Sequence, residues 1–266
     1  MLVFRFFIFL LLLSLLSCRD KPTSMSLQYN RYLSKIIYNN EPSSQYIYNS
    51  DSLLAKEITF MPGGDTLSYV EYIYSNRKPS IAYYHGIYSQ PYKSRYQYNN
   101  LNQLIRKNGY SLGVGNDTSQ IAEHSIYEYN ASSQCTKASF FNNRDSLDYY
   151  CTYEYNNGDN TLLRYYSPTD SIFATINYSF DDKTNYLKHS LYSWIISKNA
   201  HNILTVSSPN ADSTGKILLR ARYSISLDIA RTSSYVYDSF DYPIIDSSTV
   251  LSRSRVTSVF KLEYLQ

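Results

Sequence analysis

The pattern of apolar and polar positions repeats along most of the chain, and its core is a pair of aromatic residues two positions apart. The plainest copies are Tyr127-Glu128-Tyr129-Asn130 and, 26 residues later, Tyr153-Glu154-Tyr155-Asn156. Residues two apart point to the same side of a β-strand, so each pair predicts a strand with one aromatic face. The Asn that follows can bond nearby backbone and tolerates positive φ, which predicts a turn.

Further copies of this motif lie on both sides of the two plain ones. They are Tyr46-Ile47-Tyr48-Asn49, Tyr72-Ile73-Tyr74-Ser75, Tyr96-Gln97-Tyr98-Asn99, Tyr178-Ser179-Phe180-Asp181 and Tyr235-Val236-Tyr237-Asp238. Counted on the second aromatic residue, the steps are 26, 24, 31, 26, 25 and 57 residues. A period of this length usually encodes one supersecondary unit, and the last gap has room for about two units.

A second signal, Asp followed by Ser or Thr, falls about half a period from most of these motifs. It begins at Asp51, Asp65, Asp117, Asp145, Asp170, Asp212 and Asp246. Each unit is therefore interpreted as strand, turn, returning strand and second turn, with returning strands at residues 104–105, 137–141 and 162–166. The sequence predicts an all-β antiparallel meander of about a dozen strands.

The residue between the two aromatics indicates what the opposite face of the sheet contacts. It is polar in the central copies and apolar in the early and late ones, as Ile47, Ile73 and Val236 show. We expect that face of the central strands to contact water, and we expect the end strands to be covered on both faces. Because so large an apolar Tyr face is rarely left bare, the sheet should curl into a barrel or half-barrel, or fold into two layers.

The repeat resembles the Tyr-Asp (YD, or Rhs-type) repeats and the YD-like repeats of bacterial envelope lipoproteins, from about Tyr46 to Tyr264. The stretch from Tyr178 to Asn185, followed by residues 197–203, also resembles the "YDxKxNP…NN" insertion of many such lipoproteins, with Tyr186 in place of Pro. Between these halves, helical spacing of apolar residues predicts a short helix near 186–196. The family is mostly uncharacterised, so the resemblance implies fold and location rather than activity.

The N-terminus has the pattern of an export signal. Val3 to Leu16 is an apolar run too short for the ~20 residues of a spanning helix, and it ends at charged residues. Leu15-Leu16-Ser17-Cys18 resembles the lipobox of bacterial lipoproteins. That resemblance implies removal of residues 1–17 and acylation of Cys18 with chains such as palmitate. The lipidated Cys and a polar tether then cover 18–26, and the β-repeat domain covers 27–266. The alternatives are an ordinary secretory signal and, less favoured because the charges arrive so early, an uncleaved anchor helix.

Composition adds little about partners. The 266 residues include 31 Tyr, and 43% hydrophobic with 18% charged residues argues against intrinsic disorder. A formal net charge of +3 is too small to indicate nucleic acid. The lipid anchor predicts that the protein attaches to the outer membrane. The lone Asp20 of the tether leaves periplasmic and surface-facing placements both open.

Two cysteines lie in the central repeats. If the hairpin turn centres near Asn143, Cys135 and Cys151 face each other across it, and an exported compartment permits a disulfide. Because directly opposed cysteines are geometrically demanding, two buried free thiols are the alternative.

No catalytic, metal or cofactor motif is recognisable. The His residues (85, 124, 189 and 201) lack metal-ligand spacing, and His85 is interpreted as an exposed residue of a Tyr-rich turn. Glu128 and Glu154 occupy equivalent positions, where repetition predicts solvated outward side chains better than a catalytic pair. Asp181-Asp182 with Asn185 could bind a cation, but turn chemistry is the favoured interpretation.

The leading hypothesis is a lipid-anchored envelope protein that is not an enzyme and acts as a binding or scaffold module. Its ligand would be a glycan, because Tyr rings stack on sugars, or another envelope protein. The alternatives are a hydrolase whose site is assembled only in the fold, and a structural component of an envelope or secretion assembly.

Overall fold

The computed structural model describes residues 31–112, 120–185, 201–207, 230–251 and 255–265. Tyr32–Gln266 forms one compact unit. Within the described residues the regular structure is entirely β, and no helix there is long and apolar enough to span a bilayer. The short helix predicted near 186–196 lies outside the described residues.

Sixteen strands follow one another within the described ranges of the chain. They are β1 (Leu33–Tyr38), β2 (Glu41–Tyr48), β3 (Leu54–Phe60), β4 (Thr66–Ser75), β5 (Lys78–Gly86), β6 (Ser89–Tyr98), β7 (Leu104–Ser111), β8 (Glu123–Tyr129), β9 (Cys135–Asn142), β10 (Leu147–Asn156), β11 (Asp159–Tyr166), β12 (Ile172–Thr184), β13 (His201–Ser207), β14 (Ala230–Tyr237), β15 (Pro243–Leu251) and β16 (Arg255–Tyr264).

Each strand pairs with its neighbours in sequence, and β1 pairs with β16, so the meander closes into a sixteen-stranded antiparallel barrel. The barrel option of the sequence prediction is confirmed, with more strands than the predicted dozen. Turns that follow the Tyr-x-Tyr motifs lie at one end, here called the tyrosine end. The other turns, including those at residues 61–65, 143–146 and 167–171, lie at the far end.

The predicted turn chemistry is present at both ends. Asn49 Oδ1 accepts hydrogen bonds from the backbone N–H groups of Asp51 and Leu53, and Asp238 does the same for Phe240 and Tyr242. Asn99, Asn130 and Asn142 cap their own turns in the same way. Asp145 and Asp170 adopt positive φ, of 60° and 62°, which Asp tolerates better than most residues.

One face of the sheet is buried and the other is exposed. The buried face carries Tyr46, Tyr96, Tyr127 and Tyr153, each between 5% and 7% exposed, in one continuous apolar cluster. A closed sheet encloses only its interior, so this face is the inner wall. The predicted inward orientation of the Tyr pairs is therefore confirmed.

The expectation that the end strands are covered on both faces is wrong. Ile47, Ile73 and Val236 are 40%, 48% and 52% exposed, like the polar residues at the equivalent central positions. In a closed barrel there are no end strands, so every repeat presents this position to the same outer surface. Asp246 also differs from its prediction, because it lies inside β15 opposite Tyr235 and is buried rather than forming a turn.

A ladder of tyrosine hydroxyls runs around the tyrosine end. The register shifts at the second aromatic residue of the repeats, which is the sign of a β-bulge. The hydroxyl of the next repeat's tyrosine then donates to the carbonyl of the residue opposite that bulge. The bonds, of 2.7–2.9 Å, join Tyr48 to Leu33, Tyr74 to Leu54, Tyr98 to Pro79, Tyr129 to Leu104, Tyr155 to Cys135 and Tyr264 to Pro243.

Leu33 is itself opposite Tyr264, so the bond from Tyr48 carries the ladder across the junction of the first and last strands. We call this set of bonds the tyrosine ladder. It gives five of the motifs a structural role that accounts for their second tyrosine, namely Tyr48, Tyr74, Tyr98, Tyr129 and Tyr155.

Candidate functional site

Several predicted sites lie outside the described residues. They include the signal peptide over 1–17, the lipidation site Cys18, the tether over 18–26, and the residues His189, Asp117 and Asp212. Lipidation of Cys18 therefore stays a prediction.

Cys135 and Cys151 are both buried free thiols. They do not face each other, because the turn spans 142–146 and the register shifts between Leu147 and Tyr149, which pairs Cys151 with Ala138. The cross-hairpin pairing predicted from sequence is wrong for this reason, and the disulfide is not formed in this structure. Burial raises the pKa of each thiol to about 12, which leaves both as unreactive packing groups.

Glu128 and Glu154 lie on the outer wall, as repetition predicted. Glu128 pairs with Lys137 at 3.7 Å and Glu154 pairs with Arg164. Two similar ion pairs, Lys56–Glu71 at 2.9 Å and Lys261–Glu263 at 3.0 Å, lie on other strands of the same wall. The outer wall therefore carries charges at several points around the barrel.

The outer wall also carries stacked rings. Tyr150 stacks on Tyr166 at 4.7 Å. His85 stacks on Tyr69 at 4.4 Å, within β5 rather than in the exposed turn predicted from sequence. His124 is buried against Phe141 at 4.6 Å, and burial lowers its pKa.

A polar cluster joins strands β11 to β14 at the tyrosine end, where Phe180 replaces the second tyrosine of the repeat. We call it the seam cluster, and its members are Asp159, Asp181, His201, Asn202 and Tyr237. Asp181 accepts hydrogen bonds from the backbone and side-chain N–H groups of Asn202 and from the Tyr237 hydroxyl. The two halves of the predicted insertion, around Asp181 and Asn202, are thus held together directly.

Asp159 and His201 form the second half of the seam cluster. His201 Nδ1 lies 2.6 Å from Asp159 Oδ2, and the His201 backbone N–H donates to Oδ1 at 3.2 Å. Asp159 is buried, whereas about a third of the His201 side chain is exposed. An Asp that orients a partly exposed imidazole has the geometry of a general base. In the described part of the chain no nucleophile bonds to that imidazole, and no group of three or more His, Cys, Asp or Glu is placed to hold a metal ion.

The inner wall between β2 and β7 gathers further polar groups that the sequence analysis missed. We call this the inner patch, and its members are Tyr46, Glu57, Tyr72, Tyr84, Tyr96 and Lys107. Register places Glu57 opposite Tyr46, and Lys107 opposite Tyr96. The hydroxyls of Tyr84 and Tyr96 lie 3.3 Å apart, and Lys107 Nζ lies 5.9 Å from the centre of the Tyr84 ring.

Burial raises the pKa of the Glu57 carboxyl, and it also raises those of Tyr46, Tyr72 and Tyr96. The charge of Glu57 contributes to the raised pKa of Tyr46 and of Tyr72, which lie on the two strands that flank β3. Alternation from the buried Leu54 would by itself place residue 56 inward. The extra residue of the bulge opposite Tyr48 moves the inward position to Glu57, so the sequence pattern alone did not reveal it.

The barrel fold is similar to that of two porin-like proteins that are very different in sequence. A porin-like protein from Bacteroides uniformis is similar with a TM-score of 0.52 and 12% identity, over 84% of this chain and 90% of that one. A porin-like protein from Bacteroides vulgatus is similar with a TM-score of 0.50 and 10% identity, over 89% and 99% of the two chains. The TcdB2-TccC3 structure matches at a TM-score of 0.34 over 13% of its length.

No known protein family matches the sequence, and no curated protein does. The fold and the sites thus define a class, a closed sixteen-stranded antiparallel barrel of the architecture seen in porin-like proteins. The YD-repeat and lipoprotein resemblances stay predictions.

Proposed function

We propose that this protein is a lipid-anchored envelope protein whose barrel lies in water and acts as a binding or scaffold module, not an enzyme. The observation that carries the proposal is the charged outer wall. A transmembrane barrel needs an apolar outward band, and a Lys or Arg facing lipid costs about 2–4 kcal/mol at the bilayer midplane, with Asp and Glu costing less. Four outer-wall ion pairs, spread over β3–β4, β8–β9, β10–β11 and β16, favour water on this surface.

The inner wall argues against passage through the barrel. Towards the tyrosine end, inner-wall residues such as Leu54, Leu104 and Tyr127 are between 2% and 5% exposed. Residues that line a water-filled channel would be accessible to water. The described part of the interior is therefore packed at that level, while partly exposed side chains remain nearer the far end.

Membrane attachment then depends on the acyl chains of Cys18. Each buried CH₂ contributes about 0.8 kcal/mol, so two or three chains hold a water-facing barrel firmly. The location follows from the lipobox resemblance and is consistent with the envelope families that the repeat resembles. Periplasmic and surface-facing placements are both compatible with it.

The test is the fate of Cys18→Ala in fractionated cells, with Cys135→Ala as the matched cysteine control. We expect wild type and Cys135→Ala in the membrane fraction and labelled by radioactive palmitate. Cys18→Ala should be unlabelled and should leave the membrane fraction as a folded protein. If Cys18→Ala stays in membranes after alkaline washing, the barrel is embedded in lipid and the proposal is wrong.

A second candidate function, a hydrolase, is favoured only by the Asp159–His201 pair. It predicts turnover of an ester, peptide or glycoside substrate by the wild-type protein, and loss of kcat in a folded His201→Asn variant. The remaining alternative, a component of a larger envelope or secretion assembly, predicts partners that co-purify from solubilised membranes. A clean monomer would argue against that alternative.

A further inference from the structure

Exposed apolar side chains gather at the tyrosine end of the barrel. Ile47 on β2, Ile73 on β4, Ile105 on β7 and Val236 on β14 are 40%, 48%, 37% and 52% exposed. Each lies within the last three residues of its strand at that end. Because β16 pairs with β1, the strands from β14 through β1 to β7 form one continuous sector of the wall. On β8 and β10, outside this sector, the equivalent position carries an ion-paired glutamate.

Two turns of the same sector add apolar tips. Leu101 in the β6–β7 turn and Phe240 in the β14–β15 turn are 74% and 53% exposed. The backbone N–H of each donates to the Asn or Asp that begins its turn. Asp51 makes the same bond in the β2–β3 turn, so the turn geometry does not require an apolar side chain at this position.

We call these apolar residues together the apolar rim. Its members are Ile47, Ile73, Leu101, Ile105, Val236 and Phe240. Single exposed apolar residues are normal on a protein surface, whereas a group of them at one place indicates a surface that a partner or a membrane covers. The far end also exposes Ile87 and Tyr88, in the β5–β6 turn, so exposure alone does not identify the covered end.

The connection to the N-terminus distinguishes the two ends. The chain enters β1 at Leu33, which lies at the tyrosine end because its carbonyl accepts the ladder bond from Tyr48. Cys18 precedes Leu33 by 15 residues. The ten residues of β6 span about 33 Å, so a chain that ran back along the wall to the far end would use about ten of those 15 residues. Acylation of Cys18 would therefore hold the tyrosine end nearer to the bilayer than the far end.

We infer that the apolar rim docks on the surface of the membrane that holds the acyl chains of Cys18. Leu101 and Phe240 enter the boundary between headgroups and acyl chains first, because they are the tips of turns. Aliphatic and aromatic side chains are suited to that boundary. Attachment through Cys18 makes the contact intramolecular, so a rim too small to bind a membrane by itself stays docked.

The charges of the outer wall are compatible with this orientation. The pair Lys261–Glu263 on β16 lies in the same sector as the apolar rim, and a Lys side chain can keep its ammonium group among the headgroups while its stem contacts apolar surface. Only the rim touches lipid, and the wall beyond it stays in water. The inference rests on the proposed function and deepens it, because it gives the anchored barrel an orientation.

The test is lipid quenching of single fluorescent labels on the full-length acylated protein, in phosphatidylcholine vesicles that contain doxyl-labelled lipid. Labels are attached to Leu101→Cys at the rim, Tyr88→Cys at the far end and Val259→Cys midway along the outer wall, sites that are 74%, 83% and 52% exposed. Cys135 and Cys151 are buried and should stay unlabelled. We expect the lipid to quench the rim label alone, and iodide in the water to quench the other two.

A further variant tests the contribution of the rim itself. With the label moved to Phe240→Cys, Leu101→Asp should shift the docking equilibrium about tenfold towards the undocked state, since burial of a leucine side chain contributes about that factor. Asp51 shows that Asp fits this turn position. The matched control, Tyr88→Asp at the far end, should leave the quenching unchanged. Circular dichroism and urea midpoints establish that each variant is folded.

The other patterns of quenching overturn the inference. Lipid quenching at Tyr88→Cys, or at neither end, means that the rim does not face the bilayer. A rim label shielded from both lipid and iodide means that a second copy or another protein covers the rim instead.

Failure of this inference is distinguishable from failure of the proposed function. Lipid quenching at Val259→Cys means that the barrel is embedded, and the proposed function then fails as well. If Cys18→Ala is released from membranes while iodide alone quenches the rim label of the acylated protein, the docking surface is wrong and the water-facing barrel stands.

Discussion

Removing one hydroxyl from the tyrosine ladder should destabilise the barrel by an amount that the geometry sets. Tyr129→Phe deletes the donor of the 2.8 Å bond to the Leu104 carbonyl and changes little else. A neutral hydrogen bond contributes about 1 kcal/mol net, and a carbonyl left without its partner costs about 1–3 kcal/mol. Because this bond is only partly buried, we expect a loss of about 1–2 kcal/mol in the free energy of unfolding.

The assay is equilibrium unfolding in urea, followed by circular dichroism. The midpoint should fall without a change in slope, since the surface exposed on unfolding is the same. The matched control is Tyr88→Phe, because Tyr88 is 83% exposed and reaches only the Met61 sulfur at 4.0 Å. We expect that control to lie within about 0.5 kcal/mol of wild type.

A double variant tests whether the ladder bonds contribute independently of one another. Tyr48 and Tyr129 lie on strands β2 and β8 and share no partner, so their separate losses should add. If Tyr129→Phe matches Tyr88→Phe, the ladder bonds contribute nothing measurable, and the structural reason for the second tyrosine is wrong.

Three further predictions concern titratable groups. Burial raises the pKa of Tyr74 to about 12 and also raises that of other ladder tyrosines, whereas tyrosines in an unfolded chain ionise near pH 10. The stabilisation from these tyrosines should therefore be complete below about pH 10 and fall above it. Tyrosinate absorbance and circular dichroism should then change together, and gradual ionisation in the folded protein would contradict this. Burial also raises the pKa of Glu57, so the contribution of this carboxyl to the stability of the fold should be full below about pH 4.3 and lost as the pH rises through the raised value. The Glu57→Gln variant should remove that pH dependence from the urea midpoints, and the Glu71→Gln variant should keep it. Cys135 and Cys151 should resist iodoacetamide at neutral pH until the protein is unfolded, as mass spectrometry would show, and rapid native alkylation would refute their burial.

Local features of this fold were predictable because they depend on neighbouring residues. Tyrosines two apart define a strand face, and Asn after them bonds its own backbone, so strands β7, β9 and β11 and several turns were located from sequence. The same alternation placed Glu128 and Glu154 on the outer wall. These inferences need only the period of a strand and the chemistry of a turn.

Closure and register were not predictable because they depend on residues far apart in sequence. The pairing of β1 with β16 joins Leu33 to Tyr264, and no local pattern marks it. Each bulge adds one residue to a strand, which shifts partners such as Cys151 and exchanges the inward and outward faces beyond it. Glu57 was missed for this reason, since its inward orientation is fixed only once the bulge at Tyr48 is located.

The break in the repeat at Phe180 explains why polar side chains gather at the seam cluster. Phe180 has no hydroxyl to give to the tyrosine ladder, and in its vicinity side chains make the connections instead. Tyr237 on β14 bonds to Asp181 on β12, and His201 on β13 bonds to Asp159 on β11, so each link bridges a pair of strands that are not neighbours. A structural role therefore accounts for the Asp159–His201 pair without catalysis, and the role predicts that His201→Asn lowers stability whether or not any substrate is turned over. A hydrolase requires in addition a loss of kcat at a temperature where that variant is fully folded, and this difference separates the two roles of the same imidazole.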